Sequence, residues 1–556
     1  MAAPDARTPR GSFQVNQRLL RGYGPLAVLA AMLVVMALLV PSKPQTASGN
    51  LDTTGVSGDD RESSSVTAGP DDTTGTTAAP GQVASGGGQT NAGKQIAAPT
   101  ACDGKKDQVA GDPYSPPCVA FSGFNGGATH RGVNDKEIHV AFRVLNEKGF
   151  QQTLAELAGA SLTDTPETIK NTVIALGEYF SKRYQFYGRK IVWDFYNGVG
   201  SNTTELLGGG RDKAQADAEK VKSMGSFADM SATSEPYADA LASRGIVGFG
   251  DPYLSTPWHD RHRPYIWSLA VDGTTVAKLA AEYTVKRLHG PGGAVKPAKW
   301  AGGELKDKPR RVASMAPENS WYQESVQIAK GDIEKAGVKV VTNIEYQLDL
   351  GTMSNQANNL VPKLKDQGVT TILCGCDPVF PVFMTGAMNR ERYFPEIIIV
   401  GTALTDADIV GQLFDQEAAK HMLGVSALEE PVPPTQTIAY EAFKTVRPGD
   451  EPAFSVDLIY FQMQMMAIGF QMAGPNLTPP NFEKGMFAYP SRLGPVGRWG
   501  FQTHDYTAAD DVREIYWDPN ATSNYNGKRG AYVDPQKGTR WLPGMIPTGD
   551  PAVPVR

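Results

Sequence analysis

Residues 312–346 read VASMAPENSWYQESVQIAKGDIEKAGVKVVTNIEY, and the order of signals in this stretch decides the fold. Val312 to Met315 is a short run of small and apolar residues, Trp321 to Ala336 has helical spacing, and Lys339 to Tyr346 is rich in β-branched side chains. Strand, helix, strand at this spacing is a βαβ unit, and its crossover implies a parallel pair. Toward the C-terminus the pattern continues with a helix over Met353 to Gln367, a strand over Thr370 to Leu373, a helix over Val379 to Glu391 and a strand over Ile397 to Val400.

Toward the N-terminus the same alternation is present, beyond a Gly-, Pro-, Ala- and Lys-rich break over Gly290 to Lys308. Strands are expected at Ile138 to Phe142, Ile191 to Tyr196, Phe227 to Met230, Ile246 to Phe249 and Tyr265 to Leu269. Helices are expected around Ile169 to Phe180, Asp212 to Met224, Glu235 to Arg244 and Thr274 to His289. Short apolar strands alternating with helices describe an α/β fold with a parallel sheet covered on both faces. The pattern occurs twice, which predicts two Rossmann-like lobes with a hinge between them. The Met-rich helix Leu458 to Met472 reads as core rather than a cofactor box.

Composition agrees. The 556 residues are 41% hydrophobic with a net charge of −6, which gives a real core and no basic footprint for nucleic acid. Four cysteines cannot staple a chain of this length, so burial must stabilise it.

Pro25 to Val40 carries no charge and follows Arg7, Arg10, Arg18 and Arg21, which places the N-terminus inside and the rest outside. No Ala-x-Ala follows it, so an uncleaved membrane anchor is favoured over a cleaved secretory signal. Residues 42–100 contain 27 Gly, Ser and Thr among 59 and no aromatic, the composition of a disordered tether. The expected organisation is a basic cytoplasmic N-terminus (1–22), an anchor or signal (23–41), a linker (42–100) and a Cys-clipped lead-in (101–131). A two-lobed domain (132–490) follows, with lobe 1 at about 132–290 plus a returning part and lobe 2 at about 309–450, then a C-terminal extension (491–556). The expected location is the cell membrane, single-pass with the globular part extracytoplasmic, or secretion if the segment is cleaved. Outside the cytoplasm Cys102 and Cys118 read as a disulfide, while Cys374 and Cys376 read as a disulfide, two thiols or half of a metal site.

Several short motifs add to this order. They are Val133-Asn134-Asp135-Lys136-Glu137-Ile138-His139-Val140, Pro309-Arg310-Arg311-Val312-Ala313, Glu318-Asn319-Ser320-Trp321-Tyr322, and Leu360-Val361-Pro362-Lys363-Leu364-Lys365 before Gly368-Val369-Thr370. From Gly132 to Pro490 the chain resembles the type I periplasmic solute-binding proteins, the branched-chain amino acid receptor family of ABC importers. The lead-in from Cys102 to Arg131 looks like an actinobacterial version of that family.

The resemblance implies a small polar solute (amino acid, amide or carboxylate) bound between the lobes, ABC permease subunits as partners and no cofactor. It also implies ligand-binding positions. Ser231 and Thr233 would donate hydroxyls, against the alternative of ordinary N-capping. Tyr253 would contribute backbone groups and Ser255 a hydroxyl, unless the loop is a plain surface turn. Trp321 and Tyr322 would form an aromatic wall, or simply pack. Asp377 would face the ligand, although a helix cap before Pro378 is the stronger reading. Amino acid receptors of this type carry an acidic residue after the strand matching Ile397 to Val400. Here Gly401-Thr402-Ala403-Leu404 stands there, with Thr402 in the site and Asp406 beyond, which weighs against an α-amino acid.

Trp258-His259-Asp260-Arg261-His262 offers metal-ligand side chains but reads as a polar turn, and the Gly198 and Gly208 runs lack phosphate-loop spacing. No G-x-S-x-G or H-E-x-x-H occurs, so nothing points to an enzyme. The competing reading is a membrane-anchored sensor or adaptor that uses the same clamshell.

Overall fold

The computed structural model describes residues 93–96, 106–145, 147, 164–250 and 253–556. The chain divides into Met1–Thr90 and Asn91–Arg556, and every described residue belongs to the second unit. The apolar stretch at 25–40, Cys102 and all of the tether expected over 42–100 except residues 93–96 lie outside the described residues, and Gln95–Ile96, inside that expected tether, is a strand paired antiparallel with Gly123–Phe124. Among the described residues no helix is long and apolar enough to cross a membrane.

The first lobe is built on β1 (Glu137–Val144), β2 (Lys190–Asn197), β3 (Ala228–Asp229), β4 (Val247–Phe249) and β5 (Ile266–Trp267). They form a five-stranded parallel sheet in the order β2-β1-β3-β4-β5. Helices α1 (Pro166–Ser181), α2 (Asn202–Leu206), α3 (Arg211–Met224), α4 (Glu235–Ala242) and α5 (Thr256–His262) connect them. Ala214, Ala218 and Val221 of α3 and Tyr237, Ala238 and Leu241 of α4 bury one face. With both faces covered the strands have no polar alternation, which is why they read as apolar runs.

The second lobe follows α6 (Gly273–Leu288) and contains β6 (Val312–Pro317), α7 (Ser320–Lys335), β7 (Val340–Tyr346), α8 (Met353–Asp366), β8 (Thr371–Cys374), α9 (Phe380–Arg390), β9 (Glu396–Ile399) and β10 (Met422–Ser426). The order β7-β6-β8-β9-β10 is parallel throughout. The chain then returns to the first lobe. Helices α10 (Ile438–Val446), α11 (Val456–Met472) and α12 (Pro479–Phe487) bury Phe443, Met463, Met466, Phe470 and Phe482 against α1 and the first sheet. The Met-rich helix is core, as its composition suggests.

The structure departs from the expected boundaries in two places. Helix α6, expected in lobe 1, packs Val276, Leu279, Ala280 and Tyr283 on Val312, Val340, Leu373 and Ile398 of the second sheet. The region after 491, expected as an extension, instead contributes β11 (Val512–Thr522), β12 (Arg529–Val533) and β13 (Arg540–Trp541) to that sheet. Strand β11 runs antiparallel to β10 and carries β12 and β13 on its other edge, completing eight strands.

Among the described residues the chain therefore crosses between lobes three times: between β5 and α6, between β10 and α10, and between Ala508 and Ala509, which belong to the cores of different lobes. The crossings are tied together. Ser268 N donates to Tyr506 O at 3.1 Å and Ala508 N to Ser268 O at 2.9 Å, while Arg540 donates to Ala427 O at 2.7 Å and to Asp511 O at 3.0 Å.

Candidate functional site

In open α/β sheets, ligands bind beyond the carboxyl ends of the strands. In both lobes those ends face one another across a crevice, and the two walls touch. Ser255 Oγ, before α5, donates to Glu324 Oε2 on α7 at 2.6 Å, and Gly273 N donates to Leu254 O at 2.8 Å. Gly208 has no side chain where the Trp321 ring arrives, and a Cβ there would sit 2.9 Å from it. Beside these contacts lies a pocket of about 460 Å³, lined by Glu235, Trp258 and Arg261 from lobe 1 and by Ser320, Trp321, Gln323, Glu324 and Gln327 from lobe 2. Its size falls within the ~300–1,000 Å³ range of small-molecule sites.

The residues expected to bind ligand have varied surroundings. Trp321 lines the pocket and packs against the first-lobe cluster, and Ser255 reaches the pocket wall through Glu324. Tyr253 takes a left-handed backbone (φ 63°), and its hydroxyl meets the backbone of Leu404 and Ala403 across the crevice. Burial raises that phenol, with the Asp406 charge adding to the effect. Burial likewise raises Tyr322, next to Asp377.

The others are held within their own lobes. Ser231 Oγ donates to Asp229 Oδ1 at 2.6 Å and accepts from Arg143 N at 2.9 Å, and Thr233 Oγ1 donates to Asn202 Oδ1 at 3.1 Å. The Asp377 carboxylate accepts from Tyr346 Oη at 2.6 Å and from Val379 N and Phe380 N at 2.7 and 3.2 Å. Its carboxylate thus holds the backbone N–H groups that lead into α9, whose N-cap residue is Val379. Thr402 Oγ1 donates to Cys376 O at 3.1 Å. Asp406, pushed up to about 6 by burial, accepts from Ser426 Oγ at 2.6 Å.

Glu235, Trp258, Arg261, Gln323 and Glu324 were not singled out as ligand residues from sequence. The Trp258 to His262 segment is a helix rather than a turn. His262 stacks on Trp258 at 3.7 Å and bonds Asp239 through Nε2 at 2.9 Å, while His259 is buried and its imidazole lowered to about 4 by desolvation. Among the described residues no cluster of His, Cys, Asp and Glu is arranged to hold a metal ion. Cys374 and Cys376 form a disulfide with Cα atoms 5.1 Å apart. Cys118 is disulfide-bonded, and Cys102, its expected partner, lies outside the described residues.

The hinge concentrates acid. Desolvation pushes Asp510 up to about 9, with Asp505, Asp272 and Asp511 adding repulsion and Arg498 opposing. Desolvation and Asp272 likewise hold Asp505 at about 7. A carboxyl whose folded value lies above its unfolded value, ~3.9, stabilises the fold at acid pH and loses that contribution as pH rises through the folded value. Asp510→Asn is therefore expected to match the parent near pH 4 and to be more stable by at least about 1 kcal/mol at pH 9. Urea midpoints across this range measure the difference, and a parallel pair of profiles would remove the hinge carboxyl from the account.

Comparison with known proteins follows the geometry. No curated protein matches the chain. Similar solved structures include a solute-binding protein of an ABC transporter from Rhodopseudomonas palustris HaA2 in complex with p-hydroxybenzoic acid, at 12% identity over 73% of this chain and 98% of that one (TM-score 0.51). An ABC transporter substrate-binding protein from Sphaerobacter thermophilus matches at 12% identity over 75% and 100% (TM-score 0.51). A leucine-, isoleucine-, valine-, threonine- and alanine-binding protein from Brucella ovis, in its closed conformation, matches at 12% over 74% and 98% (TM-score 0.50). At such identities these likenesses speak for the fold. A family profile described as "Periplasmic binding protein" matches residues 170–522, more than half of the sequence. With that match, and with two α/β lobes joined at three crossings, the chain belongs to the periplasmic binding protein family.

Proposed function

We propose that this chain is an extracytoplasmic solute-binding protein, tethered to the membrane by its N-terminal segment, that captures a small polar solute between its lobes for an ABC importer. The observation that carries this reading is the pocket walled by both lobes, with Trp258 and Arg261 on one side and Trp321 and Glu324 on the other. A solute there touches both halves, so its binding energy favours the shut clamshell over the open one. Nothing in the pocket resembles a nucleophile with its base, and the role proposed is capture and release.

Calorimetric titration of the full chain against amino acids, amides, amines and aromatic acids tests it. At least one class is expected to bind with micromolar affinity and to shrink the radius of gyration in solution scattering. A chain silent to all of them, with scattering unmoved, would overturn the reading.

A further inference from the structure

The proposal above leaves the solute's charge open, and the structure narrows it. At the carboxyl ends of the first sheet, free N–H and hydroxyl groups would favour an anion. Here they are already committed. Ser231 N donates to Asp229 Oδ1 at 2.7 Å, Ala232 N to Phe249 O at 2.9 Å and Thr233 N to Ser231 O at 2.8 Å. The hydroxyls of Ser231 and Thr233 are taken as described, and Ser234 Oγ donates to Glu205 Oε2 at 2.5 Å. Glu205 is itself a carboxylate, fully buried and held by the Arg143 fork at 2.9 and 2.8 Å. The chain's own carboxylate thus takes both the Ser234 hydroxyl and the Arg143 guanidinium. Arg143 bonds two buried carboxylates, Glu205 and Asp217, and acts electrostatically on a third, Asp229, so a further negative charge is opposed.

The neighbouring pocket has the opposite character. Its lining offers two indoles, Trp258 and Trp321, and two carboxylates, Glu235 and Glu324, against one guanidinium, Arg261. Gln323, also in the lining, keeps Oε1 buried without a hydrogen-bond partner while its Nε2 donates to Pro317 O at 2.7 Å. An unpaired buried acceptor calls for a donor from the guest. Two arginines pair with these acids: Arg261, itself part of the lining, and Arg211. Arg211, paired with Glu235, is 51% exposed against 11% for the carboxylate, and Arg261, 3.9 Å from Glu324, is 59% exposed against 31%. Such pairs are screened by water. Glu235 Oε1 also accepts from Trp258 Nε1 at 3.3 Å and Glu324 Oε2 from Ser255 Oγ at 2.6 Å, and a carboxylate oxygen has lone pairs for more than one donor.

From this arrangement we infer that the interlobe pocket selects a cation: an organic ammonium or guanidinium, seated against the Trp321 indole and bonded by Glu235, Glu324 and Gln323 Oε1. Indole rings attract such groups through their negative faces, and desolvated carboxylates add charge-assisted hydrogen bonds. The inference rests on the pocket being the solute site, and it goes further by choosing the class.

The test titrates the full chain with four probes: tyramine and agmatine as cations, p-hydroxybenzoate as an anion of matched ring, and leucine as a zwitterion. At least one cation is expected to bind tenfold or more tightly than p-hydroxybenzoate and leucine. Glu324→Gln is expected to weaken that cation at least tenfold while thermal unfolding changes little, and Glu235→Gln gives the same readout independently. Tighter binding of p-hydroxybenzoate or leucine would overturn the charge assignment and leave the solute-binding reading standing. Silence towards all four overturns the assignment, and only silence across the wider library overturns both.

Discussion

Replacing Arg143 with methionine is expected to cost the fold about 3–5 kcal/mol, because it leaves buried carboxylates without their counter-charge. The Arg143 side chain is 1% exposed, and its partners Glu205 and Asp217 are 0% and 4% exposed. Burial works against the guanidinium's charge, and the Glu205 fork with its neighbours outweighs that, holding the group protonated. Its plane also lies 3.7 Å above the Tyr237 ring, and Tyr237 Oη bonds Asp229 at 2.8 Å. Methionine keeps the stem's packing, so the loss reports the charge rather than a cavity. Urea unfolding of parent and variant at neutral pH measures the loss. Glu137→Gln, which removes a pairing with the largely exposed Lys190, is the comparison and is expected to change stability by at most about 1 kcal/mol. Equal losses in the two variants would mean that the buried network carries no special weight.

That network also shows where sequence reading ends. Strands β1, β2, β6, β8 and β9 were legible because a parallel sheet covered on both faces writes itself as apolar runs, and the helices between them by their spacing. Arg143 follows the apolar run at Ile138 to Phe142, and nothing in its neighbours announces Glu205, which comes from a five-residue helix far along the chain. Periodicity says which face of α6 is apolar but not which sheet that face covers. The Gly- and Pro-rich break at 290–308 looks like the boundary, whereas the crossing lies before α6, at residues 268–272. The pocket has the same difficulty. Trp258 and Arg261 sit on a seven-residue helix that reads as a polar turn, and they become pocket lining only when Trp321 and Glu324 arrive from the other lobe. Trp321, which the family resemblance put either in an aromatic wall or in plain packing, lines the pocket and packs against the first lobe.

The region after 491 gives the second large expectation: Trp517→Ala should destabilise the second lobe by about 3–5 kcal/mol. Trp517 lies on β11 and is 0% exposed, inside the cluster formed by Phe414, Met422, Ile515 and Tyr532. Gly411 and Gly530 both press against its ring, and a Cβ at either would collide with it. The Tyr532 ring meets it edge-on at 4.9 Å, and its Nε1 donates to Gln416 Oε1 at 2.8 Å. Alanine opens a cavity among groups pinned by two strands and also leaves the Gln416 oxygen without its donor, so relaxation is limited. Because β11 pairs with β10, the loss should appear locally. Hydrogen exchange at Leu423 and Val425 is expected to speed up, while Val140 and Val192 in the first sheet keep their protection. Met545, 62% exposed, supplies the contrast, since Met545→Ala should stay within about 0.5 kcal/mol of the parent. If Trp517→Ala were equally mild, the late strands would be decoration on a sheet already complete at β10. The two glycines shaped around the indole argue that they are part of its core.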